Sequence, residues 1–178
     1  MRDYFDLIAR RESCRDFADR PVEREKLEKM VEAARLAPSA CNGQPWRYTV
    51  VTRPDGVQAV AECAAGGGMN RFAKNCPAFI VVEERKTNFA ARAGGLVKRQ
   101  PFAQVDLGLS VMQLVLAATA QGLDTCILGW FSEKRLRHVL GIREDRVRLI
   151  VCVGYAAQPA PRPKKRKPLS EIARFVDG

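Results

Sequence analysis

Pro38-Ser39-Ala40-Cys41-Asn42-Gly43-Gln44-Pro45-Trp46 is the stretch on which the reading of this chain turns. It follows an amphipathic run and leads into a β-rich one, yet it is filled with small and amide residues. Prolines at both ends hold φ near about −65° and restrict the residue before each. A connector that only had to reverse the chain could be shorter and less particular. This one is suited to bringing backbone and small polar groups against something flat. A plain helix-to-strand connection, with Trp46 as a core plug, remains the other reading of these residues alone.

Working outward, Val22–Leu36 places Leu27, Met30, Val31 and Ala34 at helical spacing, and Pro38 ends the helix. Before it, Asp3–Arg10 reads as a short helix with Tyr4, Leu7 and Ile8 on one side, followed by Arg11–Phe17 without clear period. After Trp46, Tyr48–Thr52 is a strand and Pro54–Cys63 a helix. Gly66, Gly67 and Gly68 form a flexible link that spells neither common phosphate-loop pattern. Phe79–Val82 is the second strand, while Arg85–Pro101 has no firm pattern and reads as a loop or a lid.

Phe102–Gln121 is the longest helix and is apolar around almost its whole circumference, through Leu107, Leu109, Val111, Met112, Leu114, Val115 and Leu116. Such a helix must be buried on every side, which in a chain this small favours an interface with a second copy. A central helix within one chain is the alternative. Gly122 stops it. Thr125–Leu128 is a third strand, Gly129-Trp130 a turn, Ser132–Leu140 a helix and Arg148–Tyr155 a fourth strand. The segment 156–178 is an extended basic tail, with a last helical piece at Leu169–Phe175. The irregular alternation predicts a single α+β domain over 1–178 rather than a doubly wound parallel sheet.

Composition narrows the chemistry. A chain of 178 residues with 47% hydrophobic content buries roughly 70% of its unfolded surface and needs no staples. No apolar run approaches the ~20 residues of a membrane span, and the start is too charged for a signal peptide. These features predict a cytoplasmic protein without a membrane partner. The six cysteines form no Cys-x-x-Cys pair, which argues against disulfides and metal ribbons. Cys126 and Cys152 lie in apolar strands and read as core, and only Cys41 lies in a loop of interest. The one histidine, His138, is placed toward solvent, so no His-rich metal site or Ser-His-Asp device is expected. An enzyme so poor in acid–base groups would leave the reaction to a bound cofactor. The net charge of +10 points to an anionic partner, with basic clusters at Arg10, Arg11 and Arg15 and at Arg162–Lys167.

Together these pieces resemble the nitroreductase family, flavoenzymes that hold FMN at the interface of a homodimer. The resemblance rests on Arg11-x-Ser13-x-Arg15, on Pro38-Ser39-x-x-Asn42-x-Gln44-Pro45-Trp46, on the helix Asp106–Gly122, on Leu128-Gly129, and on Lys164-x-Arg166-x-Pro168-Leu169, in that order. It implies a mixed, mostly antiparallel sheet flanked by helices, in an obligate dimer with a long buried interface helix.

The resemblance also implies roles. Arg11, Arg15, Lys164 and Arg166 would converge on the FMN phosphate, with Ser13 and the backbone around Glu12 assisting and the Glu12 side chain turned away. Asn70 would bond the polar edge of the flavin ring. Pro38, Ser39, Ala40 and Asn42 would contact the flavin from the other subunit. Leu128 and Gly129 would frame N5, with the Gly129 N–H as the catalytic donor to that atom. NADH or NADPH would give hydride and leave before a small electrophile enters the same pocket, and Cys41 and Phe102 are candidates for that acceptor side. Reductive dehalogenation, or flavin or azoline chemistry, would suit the same fold. A regulatory or nucleic-acid-binding protein using the basic tail is the reading outside enzymes, and the resemblance disfavours it.

Overall fold

A computed structural model of the chain describes residues 4–158 and 162–176. Seven helices and four strands follow in order: α1 Tyr4–Arg10, α2 Arg24–Arg35, β1 Trp46–Val51, α3 Pro54–Ala64, β2 Ala78–Glu84, α4 Phe89–Lys98, α5 Phe102–Ala120, β3 Asp124–Leu128, α6 Glu133–Leu140, β4 Arg146–Gly154 and α7 Leu169–Ile172. Short 3-10 turns at Ala40–Asn42, Gly66–Gly68 and Arg71–Asn75 join them. The strand order is β1-β2-β4-β3, and all three ladders are antiparallel. The expected parallel element is a single bridge, Ser13 to Thr125, along the outer edge of β3.

Side-chain alternation divides the core into two layers. Ile80, Val82, Val151 and Val153 face α2 and α5, where they meet Leu27, Met30, Leu107, Val111 and Leu114. Phe79, Val81, Ile150 and Cys152 face α3 and α6, against Val60, Cys63 and Leu136. The sheet is therefore covered on both sides by one chain. Trp46 is 9% exposed in the α2/α5 layer, so it is the core plug, while Ala40–Gln44 beside it stays at the surface.

Three expectations need correction. Residues 85–101 are not a plain loop: α4 occupies Phe89–Lys98, capped by Asn88, whose Oδ1 accepts from the Ala91 N–H at 2.9 Å. Gly94 and Gly95 hid it, since each lowers helix propensity by about 1 kcal/mol. Gly95 is required by close approach, because a Cβ there would lie 2.9 Å from the Gln100 carbonyl oxygen.

The second concerns α5, where one chain does not bury every side, as the favoured reading of cover by a second copy requires and a central helix within one chain does not. Its Leu107, Val111, Leu114 and Ala118 are buried, but Val105, Leu109 and Met112 are 46%, 45% and 40% exposed. That helix is also long and apolar enough by composition to cross a membrane, contrary to the expectation that no run is. Its buried Asp106 and Ser110, and its packing on α2, place it in the folded core instead.

Third, the last helical piece is shorter than Leu169–Phe175, ending at Ile172. Asp3, and the parts of the tail at 159–161 and 177–178, lie outside the described residues.

Candidate functional site

The basic tail reaches the segment after α1, where its bonds go to Glu12 and to backbone carbonyls. The segment after α1 runs along the edge of β3, where the Cys14 N–H donates to the Thr125 carbonyl at 2.9 Å. Arg162 returns from the far end to this segment. Its backbone N–H donates to Glu12 Oε2 at 2.8 Å, its Nε donates to Oε1, and its Nη2 donates to the Ser13 carbonyl at 3.0 Å. Lys164 Nζ donates to the Ala9 carbonyl, and Arg15 Nη1 reaches the Ser13 carbonyl at 3.5 Å.

Glu12 is thus gripped rather than simply turned aside, and the Arg162 backbone and side-chain hydrogen bonds hold its carboxyl below the usual range. Arg166 does not join the grip; its Nη1 donates to the neighbouring Lys165 carbonyl at 2.7 Å. A recess of about 540 Å³ opens on the Glu12 side, lined also by Arg10, Cys14, Asp124 and Arg162.

Asn70, Leu128 and Gly129 gather at the far end of β3. Asn70 has a left-handed backbone (φ 49°), and its Nδ2 donates to the Trp130 carbonyl at 2.9 Å. This bond fixes the turn that carries Gly129 and leaves Asn70 Oδ1 for a ligand. A Cβ built on Gly129 would meet nothing within 4 Å, so the backbone there fronts open space. Leu128 is buried beneath it at 4%.

The remaining predicted residues, Pro38, Ser39, Ala40 and Asn42, stand apart. Their loop feeds β1, the opposite edge of the sheet, three strand spacings or about 14 Å from β3. Helix α5 gives a second ruler. Asp106, beside Ala40, and Thr119, in the recess beside Glu12, are thirteen residues apart, about 20 Å along the axis. Within one chain the two halves of the predicted site do not touch.

The loop is held in an unusual shape. Cys41, Asn42 and Gln44 have φ of 50°, 51° and 43°, and left-handed non-glycine residues of this kind cluster at functional sites. The Ala40 N–H donates to both Asp106 oxygens, at 3.2 and 3.1 Å. The Gln44 N–H donates to Ser39 Oγ at 3.0 Å, and Asn88 Nδ2 donates to the Cys41 carbonyl at 2.9 Å. Cys41 is exposed. Phe102 is half-buried and packs against α4, its ring 3.6 Å from a Cβ built on Gly94.

Asp106, Asn88 and Arg162 were not among the residues predicted for the site. A signal existed for Asp106, the single charge in an otherwise apolar helix. Among the described residues no group of three or more His, Cys, Asp or Glu is arranged to hold a metal ion. His138 is exposed on α6.

The profile of the Nitroreductase family matches residues 8–68 and 59–155. A provisionally named NADH dehydrogenase/NAD(P)H nitroreductase of Archaeoglobus fulgidus is 32% identical over 162 residues, spanning 87% of this chain and 86% of that protein. The oxygen-insensitive NADPH nitroreductase of Helicobacter acinonychis is 26% identical, over 96% and 95% of the two chains. In structure, a provisionally named nitroreductase of Exiguobacterium sibiricum, solved in complex with FMN, superposes with a TM-score of 0.80 at 23% identity, over 99% of this chain and 98% of that one. That last likeness carries the fold alone, while the profile runs from within α1 past the end of β4 and stops before Arg162, Lys164 and Arg166. The chain belongs to the nitroreductase family.

Proposed function

We propose that this protein is an FMN-dependent oxidoreductase working as a homodimer. It takes hydride from NADH or NADPH and delivers it to a small electrophilic acceptor of the nitroaromatic or quinone kind. The observation that carries this reading is the separation of two conformationally prepared half-sites at opposite edges of the sheet, the basic end of one also lying at the far end of α5 from the other. A two-fold axis perpendicular to α5, through its exposed stripe of Val105, Leu109 and Met112, would set the Pro38–Asn42 loop of one copy against β3 of the other. Each dimer then has two sites.

The residues present fit FMN. Arg11, Arg15, Lys164 and Arg166 are the phosphate ligands in this reading, with Ser13 and the Glu12 backbone beside them. Asn70 Oδ1 and the turn that it anchors serve the polar ring edge, and the Gly129 N–H is the donor toward N5. Pro38, Ser39, Ala40 and Asn42 cover the ring from the partner, with Cys41 and Phe102 on the acceptor side. FMN, when bound, supplies the hydride-accepting centre that a chain with one exposed imidazole lacks. What the protein contributes is orientation, charge and exclusion of water, with donor and acceptor using one pocket in turn. Six free thiols suit a reducing, cytosolic setting.

Purified protein tests the reading directly. It should be yellow, sediment as a dimer, and oxidise NADH or NADPH in the presence of an acceptor panel. Colourless protein that resists FMN loading, or a monomer that still holds FMN, would overturn it. Steeply salt-dependent DNA binding by colourless protein would point to the basic tail instead.

A further inference from the structure

Helix α5 buries a carboxylate where packing alone gives no reason for one. Asp106 is 4% exposed and is the only charged residue in Phe102–Ala120. An isolated buried charge is costly unless it is hydrogen-bonded. The hydrogen bonds it accepts come from the backbone N–H of Ala40, 66 residues away in sequence.

One turn further along the same helix face, Ser110 Oγ donates to the Ala34 carbonyl at 2.6 Å and lies 2.5 Å from the Tyr48 hydroxyl. Asp106 and Ser110 thus touch Ala34 in α2 before the loop, Ala40 within it and Tyr48 in β1 after it. Asn88, which caps α4, grips the Cys41 carbonyl from the other side. Left-handed conformations at non-glycine residues cost of order 1–3 kcal/mol each and persist only when their surroundings over-determine them. These contacts do so.

We infer that Asp106 is a positioning residue: its buried carboxylate fixes the Ala40 amide and so sets the conformation in which Pro38–Asn42 is presented to the flavin of the partner subunit. The inference rests on the FMN reading above, but its first consequence is a property of the loop itself. Asn88 attaches α4 to that loop, so a displacement of α4 is transmitted to the Cys41 carbonyl.

The test uses the full-length dimer with Asp106→Asn and Asn88→Ala. Amide exchange over 38–44 should rise about tenfold or more in Asp106→Asn, with β2 and β4 unchanged and the thermal midpoint of the FMN-free protein unmoved. FMN should bind about tenfold more weakly, equivalent to about 1.4 kcal/mol. Asn88→Ala should give a smaller rise confined to Cys41–Gly43. If Asp106→Asn does not fold, Asp106→Ala is read in the same way, since it leaves no polar side chain in the core.

Unchanged exchange in the loop would overturn the inference. So would a rise spread over the whole chain, or failure of both variants to fold, since either makes Asp106 a fold-holding group. Wild-type protein that binds no FMN while Asp106→Asn still loosens the loop would remove the flavin reading and keep the clamp.

Discussion

Arg162 closes on Glu12 across 150 residues of chain, with both its backbone N–H and its guanidinium on the one carboxylate. The carboxyl is held below its ordinary value by these bonds. A depressed carboxyl pKa means that the tail's attachment is fully present above the free carboxylate value of about 4.3 and is lost as pH falls through the lower docked value. Glu12→Gln should therefore free the tail at neutral pH, seen as faster tryptic cleavage between Arg162 and Lys167. Wild-type protein should reach the same cleavage susceptibility, read with an acid-active protease, only at a pH below the free carboxylate range. Equal cleavage of the two at neutral pH would show that the pair does not tether the tail.

The FMN reading proposed above makes a prediction about phosphate. Arg15→Ala and Arg166→Ala should each weaken FMN by more than about 1 kcal/mol, as loss of a charge-assisted hydrogen bond does. Riboflavin, which lacks the phosphate, should bind the variants and the wild type alike. Fluorescence titration at one fixed salt concentration reads both. An equal loss for riboflavin would mean that the arginines hold the fold or the ring rather than the phosphate.

Much of this arrangement was legible in the sequence, and the reasons are local. β2 and β4 announce themselves as short apolar β-branched runs, and α2 by its apolar spacing. What escaped was decided by contacts between distant residues. Asn88 and Gly95 make α4 a helix only against Phe102 and Gln100. Glu12 reads as a misfit beside a phosphate until Arg162 is brought to it. The apolar circumference of α5 pointed to cover by a second copy, but an apolar count does not say which face the chain itself leaves open. Asp106 stood in plain view as a lone charge, but its partner is a backbone N–H, which no residue type reveals.

Thiol reactivity should single out one cysteine. Burial pushes the Cys14, Cys63 and Cys126 thiols up, and Cys152 is raised first by its hydrogen bond with Cys76 and then by burial. A raised pKa keeps the unreactive thiol form at neutral pH. Iodoacetamide on the folded protein should add one group, at Cys41, and six after unfolding, counted by mass spectrometry. FMN should protect Cys41 if its loop covers the ring. Rapid native labelling of a second cysteine would contradict the packing described here.

Gly43 has an ordinary backbone conformation (φ −70°), so its need for glycine is steric. A Cβ there would lie 2.2 Å from Thr87 Oγ1, a buried hydroxyl without a hydrogen-bond partner. Gly43→Ala should cost about 1–3 kcal/mol, as overpacking usually does. Thr87→Ala should recover most of it, giving a clear coupling in a double-mutant cycle by chemical denaturation. Additive losses would mean that the loop yields elsewhere.

A site shared between two copies, as proposed, has a signature that a single-chain site cannot imitate. An Arg15→Ala chain damages the β3 half, and an Asp106→Asn chain damages the loop half, so each homodimer carries two damaged sites. A heterodimer of the two places the intact β3 half of the Asp106→Asn chain against the intact loop of the Arg15→Ala chain. It regains one complete site, and the other is doubly damaged. Unfolding and refolding an equimolar mixture makes about half of the dimers heterodimers if association is random. About a quarter of all sites should then bind FMN with wild-type affinity, against none in either parent. If both halves of a site came from one chain, no mixture could restore any, and the absence of recovered tight binding would leave the separation of the two half-sites without a function.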